Sequence, residues 1–109
     1  MPTLYEYFGL TFFFNSNDHE PIHIHIEKGT RRQGDTKEIK AVFVIKEGVF
    51  ESIRYEEITG RRPLSASEIN LAEELLLAKK DDILRSWTDF YVLRKRINPT
   101  IITKRIKQK

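Results

Sequence analysis

All three histidines of the chain lie within seven residues of one another, and this cluster is the strongest candidate for chemistry in the sequence. His19 follows a polar, acidic turn, while His23 and His25 are two residues apart in a segment that alternates strictly between isoleucine and polar residues. Alternate residues of a strand point to the same side. The spacing therefore predicts two imidazoles side by side, on the strand face opposite the isoleucines.

Imidazoles at this spacing suit more than one kind of chemistry. His23 and His25 can act as base and acid in phosphodiester cleavage, with His19 assisting, because imidazole titrates near neutrality. Imidazole also binds zinc and similar metals, and His23, His25 and Asp18 would supply three ligands and leave one open position. The structural alternative is that these are only polar side chains on the solvated face of a sheet. The sequence leaves all three interpretations open, and with them the question of whether the chain is an enzyme.

Other catalytic motifs are missing from the sequence. The absence of cysteine excludes disulfides, thiolate metal sites and cysteine nucleophiles, and the five scattered glycines form no phosphate-binding loop. Two arginine pairs, Arg31-Arg32 and Arg61-Arg62, flank the predicted strands. They can frame a phosphate site beside the histidines, although exposed arginines are usually only solvated charge.

Positive charge is concentrated at the end of the chain. The segment 94–109 holds seven basic residues and no acidic one, whereas twelve basic and sixteen acidic residues precede it. Such segments often contact nucleic acid or an acidic partner, and the alternative is that they only aid solubility or cover a sheet edge. We expect the tail, residues 98–109, to serve binding and not folding. The predicted contacts with nucleic acid or a partner are Arg94, Lys95, Arg96, Lys104 and Arg105.

With 109 residues, the chain has room for a single domain, residues 1–109. Aromatic and β-branched residues predict strands over residues 4–14, 22–27, 39–45 and 49–55. In the last of these, simple alternation places Val49, Ile53 and Tyr55 on one face and Phe50, Ser52 and Arg54 on the other. We expect these strands to form an antiparallel sheet of about four strands, and the isoleucines after Pro99 allow a further edge strand.

A helical region follows the predicted strands. Ser65 and Glu68 have the spacing of a capping box at its start. Helical spacing of apolar residues continues to about Arg96, which is long for so small a domain, and we expect a bend or break between Lys79 and Asp82. The predicted fold class is α+β, with one long bent helix or two helices packed on one face of the sheet.

The sequence also bears on location. No basic region followed by an apolar run marks a signal peptide at the start, and no apolar stretch is long enough to cross a bilayer. The lack of cysteine favours a reducing compartment. We therefore expect a cytoplasmic protein that does not contact a membrane.

The segment from Asp18 to His25 resembles a known family motif. Its residues are Asp-His-Glu-Pro-Ile-His-Ile-His, and an aromatic strand precedes it. The later helical region contains Ile-Leu-Arg-Ser-Trp, which ends at Trp87 and echoes the tryptophan that follows Leu-Leu-x-x in the family. This is similar to a small bacterial family, domain of unknown function four-one-six-zero, whose hallmark is an aromatic strand leading into Asp-His-x-Pro-Pro-His-x-His. The chain departs from that pattern in having Ile22 for the second proline, a longer middle region and the basic tail.

The resemblance implies a small α+β protein that is often encoded beside a second small protein, and such pairs have been suggested as toxin–antitoxin systems. It implies no established activity, but it marks Asp18, His19, His23 and His25 as positions that the family shares. The leading hypothesis is a toxin-like or RNA-directed protein that uses the histidine cluster. The alternatives are a non-catalytic binding module that pairs with a second small protein, and a protein that binds a divalent transition metal such as zinc.

Overall fold

The computed structural model describes residues 3–14, 22–29, 36–94, 96 and 99–106 of the chain. Within these residues the order of elements is five strands, two helices and a sixth strand. The strands are β1 (Thr3–Tyr7), β2 (Leu10–Phe13), β3 (His23–Lys28), β4 (Lys37–Lys46), β5 (Val49–Glu57) and β6 (Thr100–Ile102), and the helices are α1 (Ala66–Ala78) and α2 (Lys80–Tyr91). Neither helix is long and apolar enough to cross a membrane.

The described strands form one mixed sheet in the order β5-β4-β3-β2-β1-β6. Neighbours are antiparallel except β1 and β6, which run parallel. The α+β class is confirmed, but the expectation of about four antiparallel strands is not exact. One extra strand arises because Phe8 and Gly9, with φ of 47° and 84°, turn the chain and divide the first predicted strand into β1 and β2.

The second extra strand comes from the tail. Thr100–Ile102 pairs with β1, and beyond it the backbone N–H of Ile106 donates to the Tyr7 hydroxyl at 2.9 Å. Arg105 donates to the Glu74 carboxylate on α1, with Nε 3.0 Å from Oε1. Through these contacts the tail forms the further edge strand that the isoleucines after Pro99 allow, and the expectation that it does not serve folding is wrong.

The helices begin and divide where the sequence predicts. The Ser65 hydroxyl accepts from the backbone N–H of Glu68 at 3.3 Å, and the Glu68 carboxylate accepts from the backbone N–H of Ser65 at 2.7 Å, which completes the capping box. α1 ends at Ala78 and α2 begins at Lys80, so the predicted break is confirmed. α2 ends at Tyr91, short of the predicted Arg96.

The hydrophobic core lies on one face of the sheet. Ile24 and Ile26 of β3 are fully buried there, in one cluster with residues of both helices, among them Leu75 and Ile83. Phe12 of β2 and Ile39 of β4 belong to the same cluster, as their register opposite Ile26 requires. The other face of the sheet is therefore the one that carries alternate residues of β3, including both histidines.

Candidate functional site

His23 and His25 lie next to each other at the centre of the sheet, on the face away from the core cluster. His23 is opposite Val42 of β4, and His25 stands between Lys40 of β4 and Phe13 of β2. The two imidazole rings are 5.3 Å apart, centroid to centroid, at an angle of 68°. The alternation of β3 therefore brings two ring systems together, as the sequence predicts.

The expectation that these imidazoles lie on a solvated surface is wrong. His23 is 6% exposed and His25 is 7% exposed. One reason is that this face of the sheet carries buried apolar side chains of its own. The Phe13 ring stacks on the His25 ring at 5.3 Å with an angle of 18°, and Val42 is buried opposite His23.

Glu38 supplies a carboxylate to this site. Its Oε2 atom is 3.1 Å from Nδ1 of His25, and both side chains are buried. Lys40 is the register partner of His25, and Glu38 is two residues away on the same strand, so its side chain reaches His25 diagonally on the same face. Glu38 Oε1 also lies 3.8 Å from Nε of Arg61, which places a positive charge at the edge of the site.

This contact determines what the His25 ring can do. When Nδ1 carries the proton and donates it to Glu38, Nε2 is the accepting nitrogen of the neutral imidazole. That nitrogen can accept a proton from a substrate or bind a metal ion. The carboxylate also fixes the orientation of the ring.

Only part of the predicted cluster falls within the described residues. His19 and Asp18, predicted as assisting base and metal ligand, lie outside them, as do the Arg31-Arg32 pair and Lys95. Among the residues that the structure describes, no group of three or more histidine, aspartate or glutamate side chains is arranged to hold a metal ion. His23 and His25 can each offer a nitrogen, but the third predicted ligand is not among the described residues.

The basic residues predicted to contact a partner are divided by the structure. Arg94, Arg96 and Lys104 are exposed. Arg105, by contrast, is paired with Glu74, and this pairing holds its pKa above the ordinary value and that of Glu74 below it. Arg105 therefore attaches the tail to α1, and its assignment as a contact to nucleic acid or a partner stays a prediction.

Sequence reasoning missed Glu38, because we assigned residues 28–37 to a loop and began the strand at Ile39. The signal was available in the alternation itself. Glu38 and Lys40 are polar, whereas Ile39 and Ala41 are apolar, so a strand beginning two residues earlier places Glu38 on the face of the histidines. What the alternation does not provide is the β3–β4 register that brings Glu38 to His25.

Comparison with known proteins identifies the family but no activity. The family model described as "Domain of unknown function (DUF4160)" matches residues 9–88, which is most of the chain. No curated protein and no solved structure shows a significant match to the chain. The match spans β2 to α2 and includes His23, His25 and Glu38. The chain belongs to the DUF4160 family, whose function is unknown.

Proposed function

We propose that this chain is a toxin-like, RNA-directed protein that cleaves phosphodiester bonds with His25 and His23 as base and acid. The observation that carries the proposal is the buried contact of 3.1 Å between Glu38 Oε2 and His25 Nδ1, with the His23 ring beside it. In keeping with the expectation from the family, the protein would act as one member of a pair with a small protein encoded nearby, which restrains it.

The proposed reaction needs one proton acceptor and one proton donor. Nε2 of neutral His25 takes the proton of a ribose 2′-hydroxyl, and that oxygen attacks the adjacent phosphorus. The bond from phosphorus to the 5′-oxygen of the next nucleotide breaks, and protonated His23 donates a proton to the departing oxygen. The products are a 2′,3′-cyclic phosphate and a free 5′-hydroxyl. Glu38 keeps the His25 ring in the required tautomer and stabilises the imidazolium.

The surroundings of the two rings support this assignment. Phe13 restricts the plane of the His25 ring by stacking on it, and Arg61 adds positive charge next to Glu38. Low exposure strengthens the electrostatic interaction between Glu38 and His25, because little water screens it.

The test is expression in a bacterial host without the neighbouring gene. Growth is measured together with the amount of cellular RNA ending in a 2′,3′-cyclic phosphate, for the wild type and for His25→Gln, His23→Gln and Glu38→Gln. We expect the wild type to slow growth and produce these ends. Either histidine substitution should abolish both effects, and Glu38→Gln should lower cleavage about 10–100-fold, as loss of an orienting partner does in metal sites.

The controls separate chemistry from folding. Lys46→Gln, at an exposed position far along β4, should cleave like the wild type. Each variant is also purified and its melting temperature measured, because both histidines are buried. Glu38→Gln keeps the size and a hydrogen-bonding oxygen, so it is the variant most suited to retain the fold. Equal growth inhibition by wild type and His25→Gln, or no inhibition by any protein, would refute the proposal.

A second candidate is the non-catalytic binding module, and the outer edge of β5 favours it. This strand has nine residues and ends the sheet, and no described residue pairs with its outer side. Open edges accept strands from partner proteins. If pairing were the whole function, His25→Gln would capture the neighbouring small protein and show no loss of any activity. A zinc-dependent rise in melting temperature, lost in His23→Gln, would favour the metal-binding alternative.

A further inference from the structure

Lys40 stands beside the histidine pair on the same face of the sheet. It is directly opposite His25 in the pairing of β3 with β4, and it is diagonal to His23, whose own partner is Val42. Residues opposite each other in an antiparallel pair have Cβ atoms about 4.5–5.5 Å apart, and long side chains also reach their diagonal neighbours. The lysine side chain is flexible, so its ammonium group is within reach of both imidazole rings.

The ammonium group of Lys40 is not tightly bound to its carboxylate partner. Its Nζ atom is 3.6 Å from Oε1 of Glu56, a separation at which the charges attract each other without a hydrogen bond. Glu56 has a closer partner in Arg54, whose Nε atom donates to Oε2 at 2.9 Å. The side chain of Lys40 is also 33% exposed. Lys40 can therefore turn to an anion while Glu56 keeps its contact with Arg54.

Two nearby arginines are less well placed than Lys40. Nε of Arg61 is 3.8 Å from Oε1 of Glu38, so this guanidinium group faces the carboxylate that orients the base. Arg54 lies on β5, one strand further from the histidines, and it donates to Glu56. Of these three cations, Lys40 is the one whose strand position is next to an imidazole.

The reaction proposed above needs a cation at the phosphate. When the 2′-oxygen attacks, negative charge builds up on the two non-bridging oxygens of the phosphorus. The base and the acid move protons at the attacking and departing oxygens, and neither of them balances this charge. A positively charged donor directed at the non-bridging oxygens stabilises the transition state, and an ammonium group supplies the charge together with three N–H donors. Lys40 meets this requirement because β4 places it beside the base.

We propose that Lys40 is a third catalytic residue, whose ammonium group donates to the non-bridging oxygens of the phosphate at which His25 and His23 act. This inference rests on the proposed function, and it adds the group that stabilises its transition state. Lys40 transfers no proton. It contacts the phosphate before the 2′-oxygen attacks, its contact strengthens as negative charge builds up, and it releases the cyclic phosphate with the product.

The experiment separates stabilisation of the transition state from binding. The purified wild type and Lys40 variants cleave a fluorogenic single-stranded RNA of mixed sequence, and kcat and KM are measured. We expect Lys40→Gln to lower kcat by about 10²–10³-fold, the usual cost of removing one donor to a developing charge, with a smaller change in KM. Lys40→Met keeps the apolar stem of the side chain and should show the same loss. Lys40→Arg returns the positive charge and should recover most of the lost rate.

Glu56→Gln is the matched control. It removes the carboxylate partner of Lys40 but leaves the ammonium group in place, and loss of an exposed ion pair should lower kcat by less than about fivefold. If Lys40 only stabilised the sheet through Glu56, Glu56→Gln and Lys40→Gln would lower kcat equally, and that result overturns the proposal. Wild-type kcat in Lys40→Gln overturns it as well. The melting temperature of each variant is measured to show that it is folded.

Binding of uridine 3′-monophosphate, measured by calorimetry, separates this inference from the proposed function. A wild type that cleaves RNA no faster than Lys40→Gln removes Lys40 from the mechanism and leaves the two histidines in it. A wild type that never cleaves RNA refutes the catalytic proposal, and the mononucleotide then decides whether Lys40 contacts phosphate. Binding that is at least severalfold weaker in Lys40→Gln than in the wild type and Glu56→Gln supports this contact. Equal binding by all three proteins, or binding by none, overturns it.

Discussion

Glu68→Gln tests how much the charge of one carboxylate stabilises the fold. Glu68 accepts from the backbone N–H of Ser65 and contacts the ammonium groups of Lys28 and Lys37. These interactions lower its pKa from 4.5 to about 2, with the Ser65 hydrogen bond as the largest cause. Glutamine keeps the shape of the side chain and one accepting oxygen, but it removes the charge.

The size of the effect follows from this shift in pKa. A lowering from 4.5 to about 2 corresponds to about 3 kcal/mol if the unfolded chain has the ordinary value. Water screens part of this, because the two lysines are 44% and 33% exposed even though Glu68 itself is only 12% exposed. We therefore expect Glu68→Gln to lower the free energy of unfolding by about 1–2 kcal/mol at pH 7.

The dependence on pH has a definite sign. A carboxylate with a lowered pKa in the folded state stabilises the fold fully above its unfolded value, and this contribution is lost as pH falls through the folded value. For Glu68 the window runs from pH 4.5 down to about pH 2. The difference between wild type and Glu68→Gln should be complete at pH 7 and at pH 5, and it should shrink steadily below pH 4.5.

Urea denaturation at pH 7, 5, 4 and 3 measures the difference directly. Glu51→Gln is the control, since Glu51 pairs with Lys46 on the surface, and its loss should matter by less than about 0.5 kcal/mol at each pH. A difference for Glu68→Gln that stays constant from pH 7 to pH 3 would show that the substitution acts through packing or the hydrogen bond alone. The charge argument would then be wrong.

Two further predictions concern stability. Deleting residues 100–109 should lower the melting temperature, measured by calorimetry, by roughly 10 °C. The reason is that Ile102 and Ile106 pack against the core, and their burial together contributes about 2 kcal/mol. A melting temperature within a degree or two of the wild type would show that β6 does not stabilise the fold. Thr36→Val should raise the free energy of unfolding, measured by urea denaturation, by about 1 kcal/mol, since the buried Thr36 hydroxyl has no hydrogen-bond partner among the described residues. An unchanged or lower urea midpoint would mean that the hydroxyl does form a hydrogen bond in the folded protein.

Local chemistry made parts of the fold predictable. The capping box at Ser65 and the alternation of β3 are both local signals, since each involves residues only a few positions apart. Both appear in the structure where the sequence places them. The break between α1 and α2 was predicted from the length of the helical region. These features depend on backbone hydrogen bonding and side-chain direction, which neighbouring residues determine.

Register and long-range pairing were not predictable in this way. A bulge between Val44 and Ile45 shifts the pairing of β4 with β5, so that Ile45 is opposite Phe50. Phe50 consequently packs on Phe43 of the core side, where Ile53 and Tyr55 also pack, and Val49 is 66% exposed. Simple alternation along β5 instead places Val49, and not Phe50, on the face of Ile53 and Tyr55. The pairing of β6 with β1 joins residues almost a hundred positions apart, which no local pattern reveals.

The burial of His25 and Glu38 bears on what the site is for. Burying an imidazole and a carboxylate removes both from water, and apolar side chains of similar size in their place are often equally or more stabilising. Phe13 and Val42 show that this part of the sheet accommodates apolar residues. Packing alone therefore does not account for a polar pair with an imidazole held at 3.1 Å from a carboxylate and a second imidazole beside it. The proposed proton transfer would account for it, because transfer at Nε2 requires a partner that holds the proton on Nδ1.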